Sequence, residues 1–481
     1  MITEAGIILV ILLISSAGIL AGKKVRSSSD FLTGGGKASA LLTTGAFLGI
    51  IGSQSTIGTA QLAFTFGLSA WWFTLGSALG LLVFGLLYAI PLRHSGYTTQ
   101  FQLIADEYGS SAKTAGAILC TTGTFISVIS QVTACIGFIT VLYPSAAPLT
   151  ASALTVILMC LYIVMGGTWG AGMAGIVKTV LLYAVCMACL ILVLVNGGGF
   201  SEAEKLLCSE LLGPGLTHEE FSAQYLSFSA RGVLKDYGSC ISLILGVLST
   251  QTYMQYALSA KNDRTAIRSI LLAAVLVPPV GIAGIFIGLF MRSHYILQSE
   301  VNVLASMHYA VPDLPVIAGT IQVFPKFIMN HVHPALSGIM LGTLLVTIVG
   351  GSSGLLLGIS AILTEDIFSV RKYKLLFSRM TIILTLTAAA IIANVFPSQA
   401  INDLGFLSMT LRACVVFMPL TCALWLKGRI RRGNVLASVI FSPLAAIFSA
   451  VMGLPAEPLF VGMGVSIIIL TLGIKLTCLH D

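Results

Sequence analysis

Gly49-Ile50-Ile51-Gly52-Ser53-Gln54-Ser55-Thr56-Ile57-Gly58-Thr59 lies inside an apolar run long enough to cross a bilayer. Glycines, hydroxyls and an amide in the middle of such a run interrupt the helix. Gly246-Val247-Leu248-Ser249-Thr250-Gln251-Thr252 does the same in a later run. One such stretch alone reads as helix packing, because Gly, Ser and Thr are common where membrane helices touch. Two of them, each opening a block of five apolar runs, favour a five-plus-five inverted repeat with a solute site near the midplane. Unwound backbone frees carbonyls for a cation and N–H groups for an anionic solute. It is tolerated at that depth only where it is buried in protein or lines a cavity.

The composition fits this reading. Of 481 residues, 57% are apolar and 9% charged, with a mean hydropathy of +0.99. Soluble domains carry about 25% charged residues, so an ordinary water-facing surface cannot be assembled from this chain. The runs do not alternate as barrel strands would, which leaves helices. The net charge of +7 does not point to nucleic acid, because the basic residues cluster in short loops between apolar runs. The ten cysteines show no metal spacing. Cys208 and Cys240 both fall toward the outer side, and a disulfide between them is left open. His331 and His333 have no third ligand in view and read as a solvated loop rather than a zinc site.

Thirteen spans are expected, at roughly 5–22, 41–64, 69–92, 113–143, 149–166, 172–196, 236–258, 267–291, 334–364, 375–396, 403–425, 433–452 and 458–477. Glu4 precedes the first run and Lys23, Lys24 and Arg26 follow it, the reverse of a signal peptide. With the N-terminus outside, 18 of the 25 Lys and Arg residues fall at inner segments and five at outer ones. That asymmetry sets the orientation, with a cytoplasmic C-terminus in a plasma membrane. The other two, Lys178 and Arg412, lie within spans. The expected organisation is an extra span and linker at 1–40, a first repeat at 41–196, an outer loop at 197–235, a second repeat at 236–425 with an outer loop at 293–333, and two further spans at 426–481.

Four short motifs carry a family resemblance. Ser29-Asp30-Phe31-Leu32-Thr33-Gly34-Gly35, Gly166-Gly167, Gln255-Tyr256-Ala257-Leu258-Ser259-Ala260-Lys261 and Ser360-Ala361-Ile362-Leu363-Thr364-Glu365-Asp366-Ile367-Phe368 resemble, in order and spacing, motifs of the sodium:solute symporter family. The resemblance implies the inverted-repeat fold shared with the bacterial leucine transporter, with residues 41–425 as its ten core helices. It also implies a sodium site. Carried over to this chain, that site takes carbonyls of Leu48, Ile51 and Thr347 and two hydroxyls that fall on Gly350 and Gly351. Glycine has no side-chain oxygen, so the site loses two ligands of about five. A slip of two positions would bring in Ser352 and Ser353.

A second departure lies nearby. Where the family often has an acidic residue in the fifth core helix, this chain has Gly175, with Lys178 three residues on. Some sodium-independent transporters of the same fold hold a lysine ammonium where sodium would sit. Two readings of Lys178 stand side by side: a fixed cation that replaces sodium and can exchange a proton, or a side chain that snorkels to the nearby interface. Arg412, near the middle of the tenth core helix, needs a cavity or a partner, and no deep acidic residue supplies one.

The expected function is secondary active transport of a small polar solute by alternating access. The solute site is expected near Ser53, Gln54, Ser55, Thr59, Ser249, Thr250 and Gln251, with Arg412 as a further contact. A carboxylate or amino acid is the favoured solute class, and Na+ or H+ the coupling ion. No other cofactor, no nucleic-acid partner and no enzymatic chemistry are expected, and a monomer should suffice. The alternative is a substrate-sensing receptor that keeps the transporter fold.

Overall fold

Long apolar runs that must satisfy their own backbone become helices here. The computed structural model describes residues 2–195, 223–308, 313–395, 401–454 and 456–475. Cys208, most of the 197–235 loop and the C-terminal tail lie outside the described residues. Among the described residues, nine helices are long and apolar enough to cross a bilayer. A tenth is formed by a bent pair, and three shorter apolar helices accompany them.

The chain opens with α1 (Ile2–Gly22). The interrupted run follows as α2 (Ala40–Gly49) and α3 (Ile57–Phe66), with residues 50–56 between them. Next come α4 (Trp72–Val83), α5 (Ser110–Leu142), α6 (Pro148–Ile163) and α7 (Gly167–Val195). The second interrupted run is α8 (Val233–Leu248) and α9 (Gln251–Ser259), bent by 48°. It is followed by α10 (Asp263–Leu276), α11 (Pro278–His294), the shorter α12 (Val323–His331) and α13 (Pro334–Ala361). The last four are α14 (Lys374–Val395), α15 (Ile401–Arg412), α16 (Arg432–Val451) and α17 (Pro458–Leu472). Ile296–Leu297 and Val316–Ile317 form a two-residue parallel pairing in the loop before α12.

Small residues set which helices touch. A Cβ on Gly175 of α7 would stand 2.0 Å from the Gly45 carbonyl oxygen of α2, and one on Gly45 would stand 2.4 Å from the Gly172 carbonyl oxygen. The backbones of α2 and α7 therefore meet directly, as glycine-rich membrane contacts do. A Cβ on Gly351 of α13 would come within 2.4 Å of Gly52 Cα. This brings α13, buried from Ser337 to Ala361 apart from Ile339, against the first break.

His331 and His333 part company. The His331 ring stacks on Phe327, and His333 Nδ1 accepts from the Ala335 N–H at the start of α13. At the basic end, Ala38 bridges to Ala260. The Arg93 guanidinium there binds Asp263 at 2.9 Å and also donates to the Ala257 carbonyl.

Candidate functional site

The first break begins where Ile50 and Ile51 bond only three residues back, to Phe47 and Leu48. The Gly58 N–H reaches five residues back to the Ser53 carbonyl at 2.7 Å, and four-residue spacing is back at Ala60, whose N–H meets the Thr56 carbonyl at 3.1 Å. Gln131 of α5 holds the middle: its Oε1 accepts from both the Ser53 N–H at 2.9 Å and the Ser53 hydroxyl at 2.7 Å. Gln54 donates to the Ser130 hydroxyl at 3.3 Å. The second break is tied differently. Gln251 accepts from the Gln100 N–H and donates to the Thr98 carbonyl, while the Gln100 amide donates to the Ser249 carbonyl.

Lys178 reaches the first break across the α2–α7 contact. Its side chain is fully buried, and Nζ donates to the carbonyls of Gly49 and Ile51, each at 2.6 Å. The snorkelling alternative is not what the structure contains. Burying an ammonium costs several kcal/mol, offset here by charge-assisted bonds worth roughly 1.5–3 kcal/mol each.

Gly350 makes the room. A Cβ there would lie 3.2 Å from Lys178 Nζ, 3.1 Å from its Cδ and 3.0 Å from the Tyr162 hydroxyl. That hydroxyl is buried and has no hydrogen-bond partner among the described residues.

The family's sodium does not fit this arrangement. The Ile51 carbonyl, an expected sodium ligand, is bonded to the ammonium. Leu48, another, accepts from the Ile51 N–H, and Gly49 takes the second place beside Lys178. Gly350 and Gly351 offer no side-chain oxygen. The Ser352 and Ser353 hydroxyls turn back onto their own helix at Val349 and Gly350, and the Thr347 hydroxyl onto Thr343.

Arg412 is also fully buried and is held without a carboxylate. It donates to the Thr250 hydroxyl at 2.6 Å, the Ser408 hydroxyl at 3.0 Å and the Ser408 carbonyl at 3.1 Å, with further contacts to Met409 sulfur and the Ser127 hydroxyl. It thus ties α15 to the second break and to α5. Thr250 in turn donates to the Gly246 carbonyl, Ser249 to Leu245, and Thr59 to Gln54.

Between the two breaks lies a small central cavity of about 40 Å³. Of the expected solute-site residues only Gln54 and Ser55 line it. Phe47, Phe73, Ser77, Tyr253 and Met409 are also in the wall, and no charged side chain is. Ser53, Thr59, Ser249, Thr250, Gln251 and Arg412 are turned to structural partners instead. The aromatic wall was invisible in sequence, because Phe and Tyr within apolar runs look like any other core residue. Gln131, an amide inside an apolar run, carried a readable signal.

Comparison with known proteins fits these features. The human high affinity choline transporter 1 is 23% identical over 452 residues, which cover 88% of this chain and 72% of that protein. A Na+-coupled sialic acid symporter, solved substrate-bound and outward-open, superposes with a TM-score of 0.73 at 17% identity, covering 98% of this chain and 96% of that one. A mutant form of an Eremococcus coleocola manganese transporter gives 0.55 at 12% identity, covering 93% and 97%. These likenesses show a fold in common, and all three proteins are transporters rather than enzymes or receptors. The profile of the sodium:solute symporter family matches residues 31–441. The chain is an integral membrane protein and a secondary transporter of a small-molecule solute, and it belongs to the sodium:solute symporter family.

Proposed function

We propose that this transporter works without sodium, with the Lys178 ammonium standing where the family's coupling cation stands and its proton serving as the coupling species. The observation that carries this reading is the pair of 2.6 Å bonds from Nζ to Gly49 and Ile51, beside glycines at both expected hydroxyl positions. An ammonium solvated by neutral carbonyls in a dry cage, then by water when the cage opens, differs in proton affinity between the two. That difference is what coupling requires.

The solute sits between the breaks against Gln54 and Ser55. The central cavity holds little more than one water, whose share of liquid volume is about 30 Å³. Its walls must therefore part for any solute, as alternating access demands. Lys178 and Arg412 are both committed to protein oxygens, and the wall is aromatic. Among amino acids and related small molecules, this favours solutes that place an ammonium against rings, in keeping with the choline carried by one relative. The two five-helix repeats divide at 41–196 and 236–425, the basic end faces the cytoplasm of a cell bounded by this plasma membrane, and the unit of function is the monomer.

The test is uptake into proteoliposomes of a solute first identified by thermal-shift screening. An inward proton gradient without sodium should drive accumulation, and an inward sodium gradient without a proton gradient should not. Sodium-driven accumulation would refute the proposal. Equilibration under both gradients would leave Lys178 as a fixed surrogate and remove its coupling role.

A further inference from the structure

A larger cavity, of about 680 Å³, opens at the end opposite the basic loops. It lies between the starts of α8 and α15 and the turn joining α16 to α17. Nothing in the transport reading uses it. Phe406 forms the wall nearest the central cavity and packs edge-on against Phe73 at 5.4 Å between ring centres.

The charges around this space are not balanced. Arg231 is consumed: its Nε donates to Asp236 at 2.6 Å, its own backbone N–H donates to the same carboxylate at 2.9 Å, and its guanidinium lies over Phe406 at 5.0 Å. That pair is neutral, which leaves Lys235 on one side and Asp403 and Glu457 on the other. Glu457 is only 7% exposed. Its stem crosses α8 at Gly238, where a Cβ would come within 2.5 Å. Among the described residues its carboxylate has a single weak hydrogen bond, from the Ser239 hydroxyl at 3.5 Å. A buried carboxylate held this loosely, in a cavity of ordinary ligand size, asks for a cationic partner.

We infer that this cavity is a binding site for an ammonium group, seated against Glu457 with Asp403 as its second carboxylate. Lys235 leaves room at the rim for the anionic end of a zwitterion. Burial pushes the Glu457 carboxyl up to about 6, against the pull of Arg231 and Lys235 and with Asp403 adding to the rise. The site should therefore fill at neutral pH and empty in acid. Two sources supply such a group at this depth: a free amine in water, or the ethanolamine headgroup of a membrane lipid.

The test uses the full-length protein. In lipid-free detergent, ethylammonium chloride is titrated against potassium chloride at equal ionic strength and the melting temperature is read. In parallel, the protein is placed in nanodiscs of phosphatidylethanolamine or phosphatidylglycerol. A saturable rise with ethylammonium, at least tenfold weaker in Glu457→Gln and tighter in Lys235→Met, supports a free amine. A rise only in phosphatidylethanolamine discs, lost in Glu457→Gln, supports the headgroup. No rise in either setting, or one that Glu457→Gln leaves unchanged, overturns the inference. If Glu457→Gln does not fold, Asp403→Asn at the rim takes its place with the same criteria.

Discussion

Lys178 and Gly350 should be energetically coupled, and a double-mutant cycle can measure it. In the wild type a Cβ at 350 would stand 3.2 Å from Nζ and 3.1 Å from Cδ, so Gly350→Ser forces the lysine out of place and should cost about 1–3 kcal/mol, as overpacking does. In a Lys178→Ala background that conflict is gone. The Tyr162 hydroxyl, 3.0 Å from the same position, is present in both backgrounds and cancels from the cycle. The coupling should therefore be about 1–3 kcal/mol, well above the roughly 0.5 kcal/mol of independent sites.

The double variant also leaves the Gly49 and Ile51 carbonyls facing a new hydroxyl, which together are cation ligands. Sodium at roughly 150 mM with a dissociation constant near about 15 mM would stabilise the fold by about 1.4 kcal/mol through mass action. The assay is thermal unfolding of the four proteins in detergent, in sodium and in potassium. The wild type should not distinguish the two salts, and the double variant should melt higher in sodium. Costs that simply add, together with a wild type that sodium stabilises as much as it does the double variant, would refute the claim that the ammonium occupies a cation cage.

Gly351→Ala drives a methyl to 2.4 Å from Gly52 Cα. It should lower the melting temperature and abolish uptake more completely than Gly350→Ala, at a cost of about 1–3 kcal/mol or more. Arg412→Lys cannot reproduce a fork shared among Thr250, Ser408 and Ser127. It should cost roughly 2–4 kcal/mol in unfolding assays while leaving solute affinity in binding assays unchanged, whereas Gln54→Leu should weaken that affinity and spare stability. Glu457 has its folded value near 6 against an ordinary 4.5, so the folded state holds the extra proton. Stability should fall as pH rises from about 4.5 to 6, by about 2 kcal/mol in all, and Glu457→Gln should flatten that slope in pH-dependent melting curves. His331 is held below its usual value by burial and by His294. Stability of α12 should therefore fall as pH drops below about 6.5 toward that lower value, seen as faster hydrogen exchange in Val323–His331.

The sequence carried the two breaks clearly, because Gly-Ser-Gln-Ser-Thr in an apolar run is too polar and too flexible for a plain lipid-facing helix. It also drew attention to the lysine, through glycines where hydroxyls belong, but left snorkelling to the interface equally open. It did not carry the choice of Gly49 over Leu48 as the second carbonyl, since that depends on where a side chain anchored on α7 can reach once Gly175 and Gly45 let the backbones meet. Ser249 and Gln251 looked like solute ligands in the chain, yet Gln100 claims both, and nothing local to either break announces a partner so far back along the chain. Phe73 and Tyr253 acquire meaning only when the two breaks face each other. Glu457 reads as an ordinary loop acid until α8 is seen to pass over it at Gly238.

A cation joined to the chain by four methylenes cannot be delivered to the far compartment. It returns with the protein on every turn. On the proposed sodium-free cycle, a carrier built this way draws nothing from the standing sodium store of the cell and adds nothing to the work of restoring it. If the ammonium keeps its proton throughout, the current per cycle equals the charge of the solute alone, and a neutral solute crosses silently at any membrane voltage. If the proton is exchanged, one further elementary charge crosses with each solute molecule, so the ratio of current to solute flux reads out the fate of that single proton.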